Sequence, residues 1–77
     1  MSQQLLLRYD SFDAGRFDAE AETRANAGLT LLQLWTEGSA AHWALFTVND
    51  PEKAQNWLAQ EASLGHGPSA SHMLSTA

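Results

Sequence analysis

Residues 29–48 constrain this chain more than any other stretch, because they read as a β-hairpin with two apolar faces. Residues 29–36 and 42–49 are rich in leucine, tryptophan and other strand-forming residues, and Glu37, Gly38, Ser39, Ala40 and Ala41 between them have the small or polar character of a turn. With the turn centred on Ser39, Trp35 lies opposite Trp43, and period-two alternation puts Leu31, Gln33, Leu45 and Thr47 on their side. The other side collects Leu32, Leu34, Ala44, Phe46 and Val48. An antiparallel sheet with one wet face alternates apolar and polar residues. Two apolar faces therefore call for a cover on each.

The flanking segments supply the remaining elements. Residues 4–10 read as a first strand running into Ser11, Phe12 and Asp13, where Asp13 or Ser11 caps a helix. Asp18, Glu20 and Glu22 suit the N-terminal half of that helix, Arg24 follows Glu20 at i+4, and Gly28 ends it. Phe17, Ala21, Ala25 and Gly28 form its narrow apolar stripe. The sharpest local signal is Asp50-Pro51-Glu52: a capping aspartate, a proline at the first helical position and an acid beside it. The helix it starts is expected to bury Ala54, Trp57, Leu58 and Ala62, leaving Lys53, Gln55, Asn56, Gln60 and Glu61 to water. Leu64-Gly65-His66-Gly67-Pro68 breaks it, and residues 69–75 alternate as a last strand, with Ala70, His72 and Leu74 on one side and Met73 on the other.

A chain of 77 residues holds one core at most, so residues 1–77 read as one domain. A domain of this size buries only roughly 60–65% of its unfolded surface. Cysteine is absent, which removes disulfides, thiolate zinc sites, iron–sulfur clusters and a cysteine nucleophile. Oligomerisation is the remaining way to cover apolar area. Hydrophobic residues at 44% and charged residues at 17% belong to a globular composition. The net charge of −5 has the wrong sign for a nucleic-acid backbone or an anionic membrane. The apolar run Leu5, Leu6, Leu7 is too short for a signal peptide or a span, so a cytoplasmic location is expected.

The order strand, helix, strand, strand, helix, strand is the split βαβ arrangement. Right-handed crossovers put both helices on one face of a four-stranded antiparallel sheet, giving an α+β, ferredoxin-like βαββαβ domain. The other face, with Trp43 and Leu45, stays bare, and homodimerisation through it is the simplest cover. Several stretches then resemble the dimeric α/β-barrel proteins, a ferredoxin-like superfamily, and in particular its small bacterial members that have no assigned activity. They are residues 17–35, with Arg24, Gly28, Leu29 and the strand from Leu31 to Trp35; Phe46-Thr47-Val48-Asn49-Asp50-Pro51-Glu52-Lys53-Ala54; and His72-Met73-Leu74. The resemblance implies two sheets packed into a shared barrel. It also brings in larger relatives that are cofactor-independent monooxygenases, haem-degrading enzymes, polyketide cyclases and chlorite dismutase-like haem proteins. None of the matching residues is a catalytic signature, so membership selects no activity.

The chemistry-bearing residues are sparse. His42, His66 and His72 lack the i, i+4 or histidine–carboxylate spacing of a ligand motif, so neither a metal nor another cofactor is expected. His42 and His66 read as surface or turn residues, and His72 as the histidine that strand parity could aim inward. Arg8, in a central strand, must reach solvent, a carboxylate such as Asp10, or an anion. No serine sits in a nucleophile elbow, and Gly65-His66-Gly67 lacks the context of a phosphate loop. Two functions of different class are compatible with this inventory. The first is a small dimeric accessory or ligand-binding domain without catalysis, taking a small apolar ligand. The second is a cofactor-independent monooxygenase- or cyclase-like enzyme for an apolar or aromatic substrate. It would have Trp43, Phe46 and Trp57 walling a pocket under the helices and His72 or Tyr9 moving protons; that reading requires an enclosed cavity above ~300 Å³.

Overall fold

A computed structural model describes residues 3–76. In chain order the elements are β1 (Gln3–Tyr9), α1 (Ala14–Ala19), α2 (Ala21–Asn26), β2 (Leu29–Glu37), β3 (Ala41–Val48), α3 (Pro51–Ser63) and β4 (Ala70–Ser75). The strands form one antiparallel sheet in the order β2-β3-β1-β4, an α+β arrangement compatible with a ferredoxin-like fold. Among the described residues, no helix is long and apolar enough to cross a membrane.

The hairpin pairs Trp35 with Trp43, Gln33 with Leu45 and Leu34 with Ala44. Between Leu31 and Gln33 the register slips, so Leu31 lies opposite Phe46 instead of sharing the side of Trp35 and Gln33. Alternation assumed an unbroken strand; one extra residue, Leu32, reverses the parity of everything before it. The bulge falls on an edge strand, where Leu31, Leu32, Leu34 and Trp35 all stay exposed.

One face of the sheet carries the core. Leu5 and Leu7 of β1 and Ala44 and Phe46 of β3 are buried against Phe17, Ala27, Ala54 and Trp57 from the helices, with Met73 packed at the margin. Phe46, Leu5 and Leu7 are the largest side chains with essentially no exposure, each stabilising the fold by about 1.5–3 kcal/mol. Asp50 adopts extended φ/ψ, accepts from the Lys53 N–H at 3.2 Å and precedes Pro51, so α3 starts where the capping signal lies.

The first helical segment is not the single helix the sequence suggests. Asp13 caps it by accepting from the Arg16 N–H at 3.0 Å, but Glu20 leaves helical geometry with φ −93° and ψ 7°, dividing the segment into α1 and α2. In a continuous helix the Phe17 carbonyl would accept from the backbone four residues on. Here it accepts from the Arg24 guanidinium at 2.6 Å. Arg24 lies 3.8 Å from the Phe17 ring centroid and is only 6% exposed. The buried stripe therefore runs Phe17, Arg24, Ala27, whereas Ala21 and Ala25 are exposed. A stripe drawn for an unbroken helix misses the change of phase at Glu20.

Candidate functional site

The sheet face away from the helices is the first candidate. Register places Leu6 beside Leu45 and His72, Arg8 beside Trp43 and Ala70, and Gln4 beside Thr47 and Leu74. With Trp35 across from Trp43, the face is an apolar surface crossed by a few polar groups. Arg8 sits near the end of the central strand β1 and is held within the chain: its guanidinium meets the Asp10 carboxylate and donates through Nε to Glu37 Oε1 at 3.3 Å. The same Glu37 oxygen accepts from the Trp43 indole N–H at 2.9 Å. These two hydrogen bonds, Trp43 first, hold the Glu37 carboxyl below its ordinary range. The end of the hairpin thus fixes the orientation of Trp43, and the Arg8 guanidinium carbon lies 5.7 Å from that ring.

The residues expected to share a pocket are divided by the sheet. Trp43 and His72 belong to this open face, while Phe46 and Trp57 are core. Phe17, Phe46 and Trp57 pack together under the helices, so among the described residues no cavity of the anticipated size joins them. The reason is size: a domain with nine carboxylates and few large side chains uses its rings to fill its only core. Trp57 also borders an open groove of about 240 Å³ lined by Asn26, Lys53, Asn56 and Gln60, and its buried indole N–H has no hydrogen-bond partner among the described residues.

Tyr9 lies on the helix side and opens a second candidate, a polar pocket with about 20 Å³ of free space, room for a water-sized occupant. Its apolar wall is an aromatic cluster, with Phe12 5.7 Å and Phe17 6.4 Å from the Tyr9 ring. His42, expected at the surface, stacks on Phe12 at 4.1 Å and its Nδ1 is 3.0 Å from the Ala40 carbonyl. The polar wall brings together Glu20 from the junction of α1 and α2, Glu61 from α3, and His66 from the turn after it, with Arg16 and Arg24 alongside. Ligand atoms of Glu20, Glu61 and His66 all lie within 4.8 Å of one another. These three could hold a cation.

Electrostatics in this pocket follow from burial. Glu61, expected to face water, is 8% exposed. Desolvation first, then a hydrogen bond and charge from Glu20, push its carboxyl up to about 7, against weaker opposition from Arg16 and Arg24. Burial likewise pushes the Tyr9 hydroxyl up to about 12, so Tyr9 is a proton donor or a hydrogen-bonding group and not a base at neutral pH. Desolvation also lowers Arg24 from its ordinary value. Sequence reasoning missed Glu61 and Arg24. The available signal for Glu61 was its position four residues after Trp57 and seven after Ala54, in phase with the buried stripe.

Against known proteins the chain stands without a match: no family model, no curated protein and no solved structure corresponds to it.

Proposed function

We propose that this chain works as a small homodimeric binding or accessory domain, in which two copies pack their open sheet faces together and a small apolar ligand can be held between them. The observation that carries this reading is the Trp35, Trp43, Leu6, Leu45 and Leu74 surface on the uncovered face. A second copy suits it better than an anionic partner, because the Arg8 guanidinium is already engaged by Asp10 and Glu37 and is not free to pair with another anion. Area agrees. Four strands about 4.8 Å apart and up to nine residues long at about 3.3 Å each present roughly 450 Å² of footprint. Two such faces approach the ~1,000 Å² that separates a specific interface from an incidental contact, with more as accessible surface.

The test is mass in solution by light scattering across a concentration series, with Leu45→Glu as the probe. A dimeric wild type and a monomeric variant that keeps its circular dichroism support the reading. A wild type that stays monomeric at every concentration overturns it. The enzyme reading finds less support: Tyr9 has only about 20 Å³ beside it, and His72 lies across the sheet from Tyr9.

A further inference from the structure

The pocket beside Tyr9 holds an arrangement that dimerisation does not explain. We propose that Glu20, Glu61 and His66 form a site for one first-row divalent cation of the Zn²⁺ class. Two carboxylates and one imidazole are a ligand set suited to such ions, with a position left for water. The donor atoms lie within 4.8 Å of one another, and donors around a tetrahedral zinc at about 2.1 Å sit roughly 3.4 Å apart, so side-chain rotations of an ångström or so close the site.

The scaffold keeps the three residues near each other. His66 donates its backbone N–H to the Glu61 carbonyl at 2.8 Å, across a turn in which Gly65 takes a left-handed φ of 76°. Glu20 is tied to both short helices: its N–H donates to the Arg16 carbonyl and its carbonyl accepts from Arg24, each at 3.0 Å.

The setting of Glu61 bears on what the pocket could hold. Glu61 is 8% exposed and lines the pocket, where its carboxyl meets that of a second acid, Glu20. Two facing carboxyls share a proton or take a cation between them. The arginines in the same wall do not fill that role. Among the described residues the ion pairs within 4.0 Å are those of Arg8, and the Arg24 guanidinium is engaged by the Phe17 carbonyl and ring. The free space of about 20 Å³ admits an ion or a water and nothing larger. Arg16 and Arg24 nearby lower the affinity, so micromolar binding is expected, weaker than that of a structural zinc site.

Calorimetric titration of the full chain with Zn²⁺ tests this, alongside thermal melts with Zn²⁺ or Mg²⁺. The expected result is one Zn²⁺ bound per chain and a Tm raised by several degrees, with Mg²⁺ leaving Tm unchanged because it disfavours imidazole. Glu61→Gln and His66→Ala each weaken Zn²⁺ binding by ~10-fold or more, and His72→Ala, on the open face, does not. Glu20→Gln, at a half-buried position, replaces either variant if circular dichroism shows that it fails to fold. Absence of binding at ~1 mM Zn²⁺ overturns the site and leaves a proton as the only bridge between the carboxylates. Binding undiminished in the ligand variants, binding lost in His72→Ala, or an equal response to Mg²⁺ also overturns it.

Discussion

Glu61 shows how far a residue's surroundings override its type. Its carboxyl is pushed up to about 7 by burial and by Glu20, above the ordinary 4.5 that it regains on unfolding. Between those values the folded state binds more protons than the unfolded one, so the contribution of Glu61 is most favourable below pH 4.5 and is lost as pH rises toward about 7. In chelator, chemical denaturation should show wild type losing about 1–2 kcal/mol between pH 5 and pH 7.5, after allowance for solvent screening. Glu61→Gln should flatten that change. A wild-type profile with no such fall would mean that the carboxyl remains solvated. Arg24 makes a companion case. Arg24→Ala removes the donor to the Phe17 carbonyl and the stack on the Phe17 ring, and should cost about 2–4 kcal/mol by urea denaturation. Arg16→Ala, at an exposed position, should stay within about 0.5 kcal/mol. The burial of Arg24 was not legible in the sequence and that of Glu61 showed only in its phase with Ala54 and Trp57, because Glu and Arg read as solvent-facing until a neighbouring element covers them.

At the scale of elements, the signals that survived are those whose physics is complete within a few residues. Asp13 and Asp50 cap their helices because the accepting oxygen and the donor N–H are three residues apart in the chain. Gly28 ends α2 with a φ of 77°, and a Cβ there would lie 2.9 Å from the Asp50 backbone nitrogen. Gly38 in the hairpin turn also has positive φ, at 64°, but faces open space. The pair separates two costs. Gly38→Ala should lose about 1 kcal/mol for conformation alone, and Gly28→Ala about 2–4 kcal/mol because the chain must also move away from Asp50. Equal losses would show that the contact with Asp50 relaxes freely. The break at Glu20 and the slip at Leu32 escaped the sequence reading for a shared reason: each changes the phase of a periodic pattern without a proline, or a glycine at the position itself, to mark it.

The whole molecule divides its large side chains between a filled core and a bare sheet face. In the proposed dimer that face is covered only when a partner is present, so stability depends on protein concentration. The Tm of wild type should rise by a few degrees over a hundredfold increase in concentration, while that of Leu45→Glu should not respond. A wild-type Tm independent of concentration would place the full stability in the single chain. The order of elements, the pairing of Trp35 with Trp43, both capped helix starts and the existence of a bare apolar face follow from the amino-acid sequence, because periodicity and turn chemistry act over short spans. Alternation in the hairpin already set Trp43 and Phe46 on opposite sides; tertiary structure alone decided that His72 shares the side of Trp43 while Tyr9 and Trp57 share that of Phe46, and that Glu20, Glu61 and His66 meet. Those placements depend on the packing of α1, α2 and α3 across the sheet, where residues distant in the chain set each other's solvent, charge and room.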